Sequence, residues 1–297
     1  FAFTVARGSS DHAASYAAWL IQSRLGLITA SLPPSLWTRA GAELRIERAL
    51  ALAISQSGRG PDVVATTGMA RERGALTLAL VNDQDSPLAA AAEHVLPLRA
   101  GSERGVAATK TVLATLALAA RLVGRWAPDE AFEAKVARLP EAVGQAQRLA
   151  WGAALVAHLE SARACFVISR GPGLAIAQEI ALKLQEVAGL PAIAFSSAEF
   201  QHGPKALLGP GRPALFLPVT GWVGDEADRL REDAGEAPES LAVVGESAGL
   251  EAPSPLDPAL DPILLLAAAH PAIEAVARAR GHDPDDPPRL EKVTRTL

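Results

Sequence analysis

One cysteine among 297 residues rules out any disulfide within the chain. That cysteine, Cys165, lies inside the apolar run "ACFVIS", the setting of a buried structural thiol, and such sparing use fits a reducing cytoplasm. Positive charge is not in excess: 28 Lys and Arg against 33 Asp and Glu give a net charge of -5 and a pI near 5.7. Nucleic acid and anionic membrane are therefore poor default partners, although a small anion can still be held locally. No segment offers ~18 uninterrupted strongly apolar residues, and the Ala-rich stretch Thr111 to Val123 is too short to span a bilayer, so it reads as a buried helix. No His, Asp or Glu cluster shows ligand spacing, so neither a metal nor another cofactor is expected. The chain also lacks a starting methionine or signal peptide and opens in a strand-like run, "FAFTVA", which leads us to expect a beginning upstream of Phe1.

With 49% hydrophobic residues, the chain can bury a substantial core. Short apolar or β-branched runs ending in Gly/Ser loops alternate with longer segments of helical period, the pattern of an α/β fold with parallel sheets flanked by helices. Strands are predicted at Phe1–Ala6, Ala51–Ile54, Leu76–Leu80, His94–Leu98, Ala164–Ile168, Ala214–Pro218 and Leu241–Val244. An internal repeat supplies the organisation. "RGSSDHAASYAAWLIQSRLGL" from Arg7 and "RGPGLAIAQEIALKLQEVAGL" from Arg170 register without a gap at an offset of 163, so Gly26 meets Gly189 and Gln22 meets Gln185. Two similarly folded halves are expected: 1–126, a helical connection over 127–150, 151–281, and a tail over 282–297. Gly224 to Pro258, rich in Gly, Pro, Asp and Glu, reads as a surface excursion around one short strand.

The first candidate site is "LALAISQSGRGPD", in which an apolar strand breaks into Ser55, Gln56 and Ser57 and turns on Gly58 and Gly60. Free backbone N–H groups, two hydroxyls and the positive end of a helix dipole would make a phosphate cradle there, with Pro61 suited to the first helical turn. The spacing is neither that of a dinucleotide fold nor that of an ATP P-loop, which favours a small phosphorylated metabolite over a nucleotide. A turn that merely caps a helix would use the same residues. In the second copy of the repeat, Glu179, Lys183 and Glu186 stand where the first has Tyr16, Leu20 and Ser23. Their spacing puts them on one narrow arc, beside the arc of Ile176, Ile180, Leu184 and Val187 that should face the core. A solvated Glu–Lys pair would look the same. His202 precedes Gly203-Pro204 in a loop, suited either to function or to stabilising a turn, and Lys292 lies in a tail where lysines are ordinarily solvated. Taken together, these groups suit aldose–ketose chemistry on a sugar phosphate, which needs a carboxylate to carry a proton between C1 and C2 and an imidazole to open the ring.

The motifs "SQSG" at 55–58 with Asp62, "AGSERGVAATK" at 100–110, "QEIALKLQE" at 178–186, "EFQHGP" at 199–204 and "RLEKVT" at 289–294 resemble those of the SIS (sugar isomerase) domain family. They look most like the isomerase half of glucosamine-6-phosphate synthase and the related glucosamine-6-phosphate deaminases and isomerases. The resemblance implies two SIS domains, each a doubly wound, flavodoxin-like parallel sheet, and a C-terminal tail over the active site. It also implies that Ser10, Ser55, Gln56, Ser57, Gly58, Gly60 and the Val106 backbone bind the phosphosugar. Glu186 would shuttle the proton, with Glu179 and Lys183 as its charged neighbours. His202 would open the ring, reaching into the partner's site of a cytoplasmic homodimer, and Lys292 would contact the open-chain sugar. Two departures stand out: the synthase has threonine where this chain has Gly60, a loss for which Arg59 could substitute charge, and serine where it has Ala108. Nothing here resembles the synthase's glutaminase half, so glutamine is not expected as the nitrogen source for the chain as given. The implied activity is deamination and isomerisation of glucosamine 6-phosphate to fructose 6-phosphate and ammonia. A deglycase or simple aldose–ketose isomerase for another hexose 6-phosphate, and a non-catalytic sugar-phosphate-binding regulator, are the alternatives.

Overall fold

The computed structural model describes residues 1–222 and 224–292. Its chain divides into two units, Phe1–Asp129 joined by Glu291 and Lys292, and Glu130–Leu290. The first unit runs β1 (Ala2–Val5), α1 (Ser9–Leu25), β2 (Thr29–Ser31), α2 (Ser35–Thr38), β3 (Leu50–Ser55), α3 (Pro61–Glu72), β4 (Leu76–Val81), α4 (Pro87–Ala91), β5 (His94–Pro97) and α5 (Lys110–Trp126). All its strand pairings are parallel, in the order β2-β1-β3-β4-β5. Parallel strands covered by helices on both faces must be apolar on both sides, which is why "AFTV" and "LALAIS" show no alternation and β1 is buried throughout. Phe3, Val5, Ala51, Ala53, Trp37 and Val63 belong to one buried cluster. The chain winds one way from β1 to β2 and the other way from β3 through β5. The crevice outside the carboxyl ends of β1 and β3 is therefore the topological switch point of this sheet.

The second unit runs α6 (Glu130–Ala137), α7 (Leu139–Ala146), α8 (Trp151–Leu159), β6 (Cys165–Ser169), α9 (Gly173–Ala188), β7 (Ala192–Ser196), α10 (Ser197–Gln201), β8 (Ala214–Phe216), α11 (Glu226–Ala234), β9 (Leu241–Val243) and α12 (Asp261–Ala279). Its sheet is parallel in the order β7-β6-β8-β9. The offset of 163 that aligns Arg7 with Arg170 carries β1 onto β6, α1 onto α9, β2 onto β7, β3 onto β8, α3 onto α11 and β4 onto β9. Gly26 and Gly189 close α1 and α9 in the same left-handed conformation, at φ +64° and +58°, which only glycine adopts without cost. The repeat also has matching ion pairs. Arg7 Nε meets Asp62 at 3.0 Å in the first unit, and Arg170 Nη1 meets Glu226 at 2.9 Å in the second. Each ties the loop after the first strand of its sheet to the start of the helix that follows the third.

Several expectations need correction. The strands β2 and β7 are absent from the sequence prediction; both are edge strands, and "TAS" is too short to carry a pattern of its own, so its pairing to β1 decides it. The segment Gly224 to Pro258 is more than an excursion around one strand: it holds α11, whose apolar side consists of only Ala227, Leu230 and Ala234 amid charged neighbours. The connection between the halves is helical as expected, forming α6 and α7, but it belongs to the second unit, where α7 packs against α12. Finally, α12 is long and apolar enough by length and composition to cross a membrane, yet 67% of its apolar window is buried, and α7, α8 and α9 pack against it.

Candidate functional site

At the switch point of the first unit, β3 delivers Ser55 to Gly60 into a tight loop ahead of α3. The Gly58 amide donates to Ser55 Oγ at 3.0 Å and the Arg59 amide to Ser57 Oγ at 3.3 Å, so the two hydroxyls shape the loop from within. Gly58 sits at φ +63°, where an added Cβ would collide with the Ser86 side chain, so glycine is required both by conformation and by space. Ser55, Gln56, Ser57 and Gly60 are half-buried, and Pro61 opens α3 as the sequence led us to expect. Ser10, the second residue of α1, is half-buried in the neighbouring turn, which the Arg7–Asp62 pair ties to α3. Beside it, burial pushes the Asp11 carboxyl above its usual value of 3.8, against the opposing charges of His12 and Arg7. Arg59, the candidate substitute for the missing threonine hydroxyl, is committed elsewhere: its Nη2 bonds Asp83 at 2.8 Å. At the position of Gly8 a Cβ would meet nothing within 4 Å, whereas at its repeat counterpart Gly171 it would meet the Trp222 indole at 2.9 Å. Only the first of the two duplicated positions is open.

The loop after β5 completes the first unit's candidate groups. Asn82, following β4, pins it by donating to the Gly101 carbonyl at 2.9 Å and accepting from the Ala100 amide at 3.0 Å. Glu103 then turns inward and caps α5, accepting from the amides of Thr109 at 3.0 Å and Thr111 at 3.2 Å and from the Thr111 hydroxyl. Burial alone would push its carboxyl up, but those hydrogen bonds, with help from Lys292, hold it below the usual 4.5. Lys292 Nζ donates to the Gly105 carbonyl at 2.5 Å and lies 3.9 Å from Glu103 Oε2. The tail lysine is thereby seated beside Val106, the half-buried residue whose backbone the family resemblance implies as a sugar contact. Glu103 lies within the motif at 100–110, and the family resemblance implies no role for it. A carboxylate a few residues ahead of an uncapped helix start was the signal available.

In the second unit, α9 presents the charged arc. Ile176, Ile180, Leu184 and Val187 are buried as expected, but the charged arc is not the solvated stripe it could have been. The side chains of Glu179 and Lys183 are 1% and 2% exposed, with Lys183 Nζ 3.5 Å from Glu179 Oε1 and hydrogen-bonded to Glu186 Oε2. Glu186 alone of the three reaches solvent, at 24% exposure. The arrangement holds one accessible carboxylate against a buried cation whose other side faces a second carboxylate. His202 follows α10 and is exposed; its amide bonds the Glu199 carbonyl at 3.0 Å, and among the described residues no hydrogen bond joins its ring to the α9 cluster. No cluster of three metal-binding side chains occurs among the described residues. Cys165 is buried and its thiol is pushed up to about 12, chiefly by that burial, so it is an inert core group.

Comparison with known proteins gives this geometry a lineage. The SIS domain family matches residues 2–123 and 158–227. Glutamine–fructose-6-phosphate aminotransferase (isomerizing) from Methanothermobacter thermautotrophicus is 33% identical over 304 residues, covering 97% of this chain and 50% of the relative. The enzyme of the same name from Thermococcus kodakarensis is 32% identical over 97% of this chain and 51% of its own length. The chain thus spans about half the length of these curated relatives. Among solved structures, a protein from Silicibacter pomeroyi DSS-3 described as a phosphosugar isomerase superposes with a TM-score of 0.85 at 38% identity, covering 96% of this chain and 88% of that one. Glucosamine-6-phosphate deaminase from Thermotoga maritima shares the fold, with a TM-score of 0.82 at 24% identity over 99% of this chain and 90% of its own. Parallel sheets with serine- and glycine-lined carboxyl ends, a helix carrying Glu179, Lys183 and Glu186, and relatives that match along nearly the whole length together place this chain in the SIS domain family.

Proposed function

We propose that the chain is a phosphosugar isomerase that deaminates and isomerises glucosamine 6-phosphate to fructose 6-phosphate and ammonia. The observation that carries this reading is the Glu179–Lys183–Glu186 array: a buried cation bonded to the one carboxylate that remains accessible to a substrate. The tight loop at Ser55–Gly60, beside the open position at Gly8, supports it by offering hydroxyls and close backbone for a phosphate, with Ser10 and the Val106 backbone as sugar contacts. In the proposed sequence, His202 moves a proton to O5 as the ring opens and the C1 aldehyde is freed. Glu186 takes the C2 proton and returns it to C1, converting the aldehyde into a CH2OH group and C2 into an imine. Water then adds to the imine carbon, the C–N bond breaks, and ammonia leaves with a ketone at C2. One water is consumed and no redox change occurs. Lys292 contacts the open chain, and the exposure of His202 supports its donation to a second copy of the chain in a homodimer.

The test is to incubate the protein with glucosamine 6-phosphate and assay ammonia and fructose 6-phosphate together; equal amounts of both are expected. A Glu186→Gln variant should still bind the phosphosugar while kcat falls by about 100-fold or more, the range lost with a general acid–base group. Binding by the wild-type protein without either product would refute the deaminase reading, and an active Glu186→Gln variant would remove Glu186 from the proton path.

A further inference from the structure

The first unit contains a carboxylate whose placement exceeds the needs of a helix cap. Glu103 is 4% exposed at its side chain and already receives two amides and two hydroxyls from Thr109 and Thr111 at the start of α5. Such a cap is satisfied by the helix alone. Its Oε2, the atom that takes the Thr111 hydroxyl, also lies 3.9 Å from Lys292 Nζ, whose proton goes to the Gly105 carbonyl at 2.5 Å. Glu103 and Gly105 sit in one loop held at its other end by Asn82, so the seat for the lysine is fixed by β4, by α5 and by the cap. Lys110, by contrast, donates to the Ser102 carbonyl outside this seat, and its residue is exposed.

From this placement we propose that Glu103 is a positioning residue that docks Lys292 against the 103–105 turn, so that one buried carboxylate orders both the tail lysine and the Val106 backbone for the sugar. The inference rests on the phosphosugar reading for its consequence, but the docking itself is a property of the chain without substrate. Two effects cooperate. The cap fixes where the Glu103 carboxylate stands, and burial leaves its charge little screened by water, so a lysine entering the turn is held by charge and by the Gly105 carbonyl together. An ammonium held in this seat must give up a proton and leave the turn before its nitrogen can attack a reagent.

The experiment is competitive acylation of the full chain by an amine-reactive ester at fixed neutral pH without substrate, with each lysine read by mass spectrometry. In the wild type, Lys292 is expected to react slowly. In Glu103→Gln, which keeps shape and a cap acceptor but loses the charge, Lys292 labelling is expected to rise about tenfold, while Lys205 in the second unit changes less than twofold. Thr111→Val removes one hydroxyl donor but leaves both amides holding the Glu103 carboxylate in place, so Lys292 labelling should then stay within twofold of wild type. In turnover assays Glu103→Gln should raise KM for the phosphosugar about tenfold with kcat changed less than threefold. Lys292 labelling unchanged in Glu103→Gln, or raised equally in both variants, would overturn the docking role. A wild-type protein that turns over no phosphosugar would instead sink the functional reading and leave the labelling result to be judged on its own.

Discussion

Replacing Lys183 with methionine tests whether the α9 array is a buried charge system. The substitution keeps most of the volume and removes the cation, leaving Glu179, 1% exposed, without the ammonium that now lies 3.5 Å away. Breaking a buried ion pair from one side costs about 3–5 kcal/mol, because the remaining charge loses its counter-ion where water cannot replace it. Glu186 contributes less to this sum, since it is 24% exposed and water can take over part of its solvation. The second unit, Glu130–Leu290, has 290 − 130 + 1 = 161 residues. For a unit of that size each kcal/mol moves the melting temperature by about 2–4 °C, so Lys183→Met should melt about 6–20 °C lower. Thermal unfolding followed by circular dichroism measures this. The double variant Glu179→Leu/Lys183→Met should recover most of the loss, because an apolar pair of similar volume can replace a buried ion pair at little cost. If Lys183→Met alone melts within about 2 °C of wild type, the lysine carries no buried charge worth the name and the reasoning fails.

Two further outcomes follow from the same geometry. Burial pushes the His158 imidazole below its ordinary 6.5, against the pull of the Ala214 carbonyl that it bonds at 3.0 Å. A histidine depressed on folding contributes stability that is full above 6.5 and is lost as the pH falls from there through the folded value, so urea midpoints should decline as the pH is lowered below 6.5; His158→Gln should flatten that decline, and an unchanged slope would discount the effect. Gly58→Ala places a Cβ against Ser86 at φ +63°, for which the left-handed backbone alone costs about 1–2 kcal/mol. Chemical denaturation and phosphosugar binding should both weaken, the latter by about tenfold or more, and wild-type affinity in this variant would mean that the tight turn is dispensable.

Much of this protein is set locally and is therefore legible in its sequence. The buried parallel strands announce themselves as apolar runs without alternation. The glycines at 26 and 189 mark where α1 and α9 end, because only glycine turns left-handed there at no cost. The gapless repeat from Arg7 and Arg170 predicts that whatever α1 does α9 does again, and the asymmetry between the copies points to Glu179, Lys183 and Glu186. Other features had no local signal. The edge strands β2 and β7 exist because β1 and β6 offer them a ladder, and α11 folds on an apolar side of three residues that only the adjoining sheet makes sufficient. Burial of Lys183 could not be read from an i, i+4 Glu–Lys spacing that serves equally well on a wet surface; it is decided by what packs over the helix. The fate of the duplicated crevices was also tertiary: identical Arg-Gly openings leave Gly8 open and Gly171 covered by Trp222, a residue 51 positions away in the chain. So was the seat of Lys292, a residue 187 positions from the carbonyl that holds it. Periodicity and glycine placement act over a few residues and are written in the sequence, whereas desolvation, plugging and docking depend on groups that only folding brings within reach.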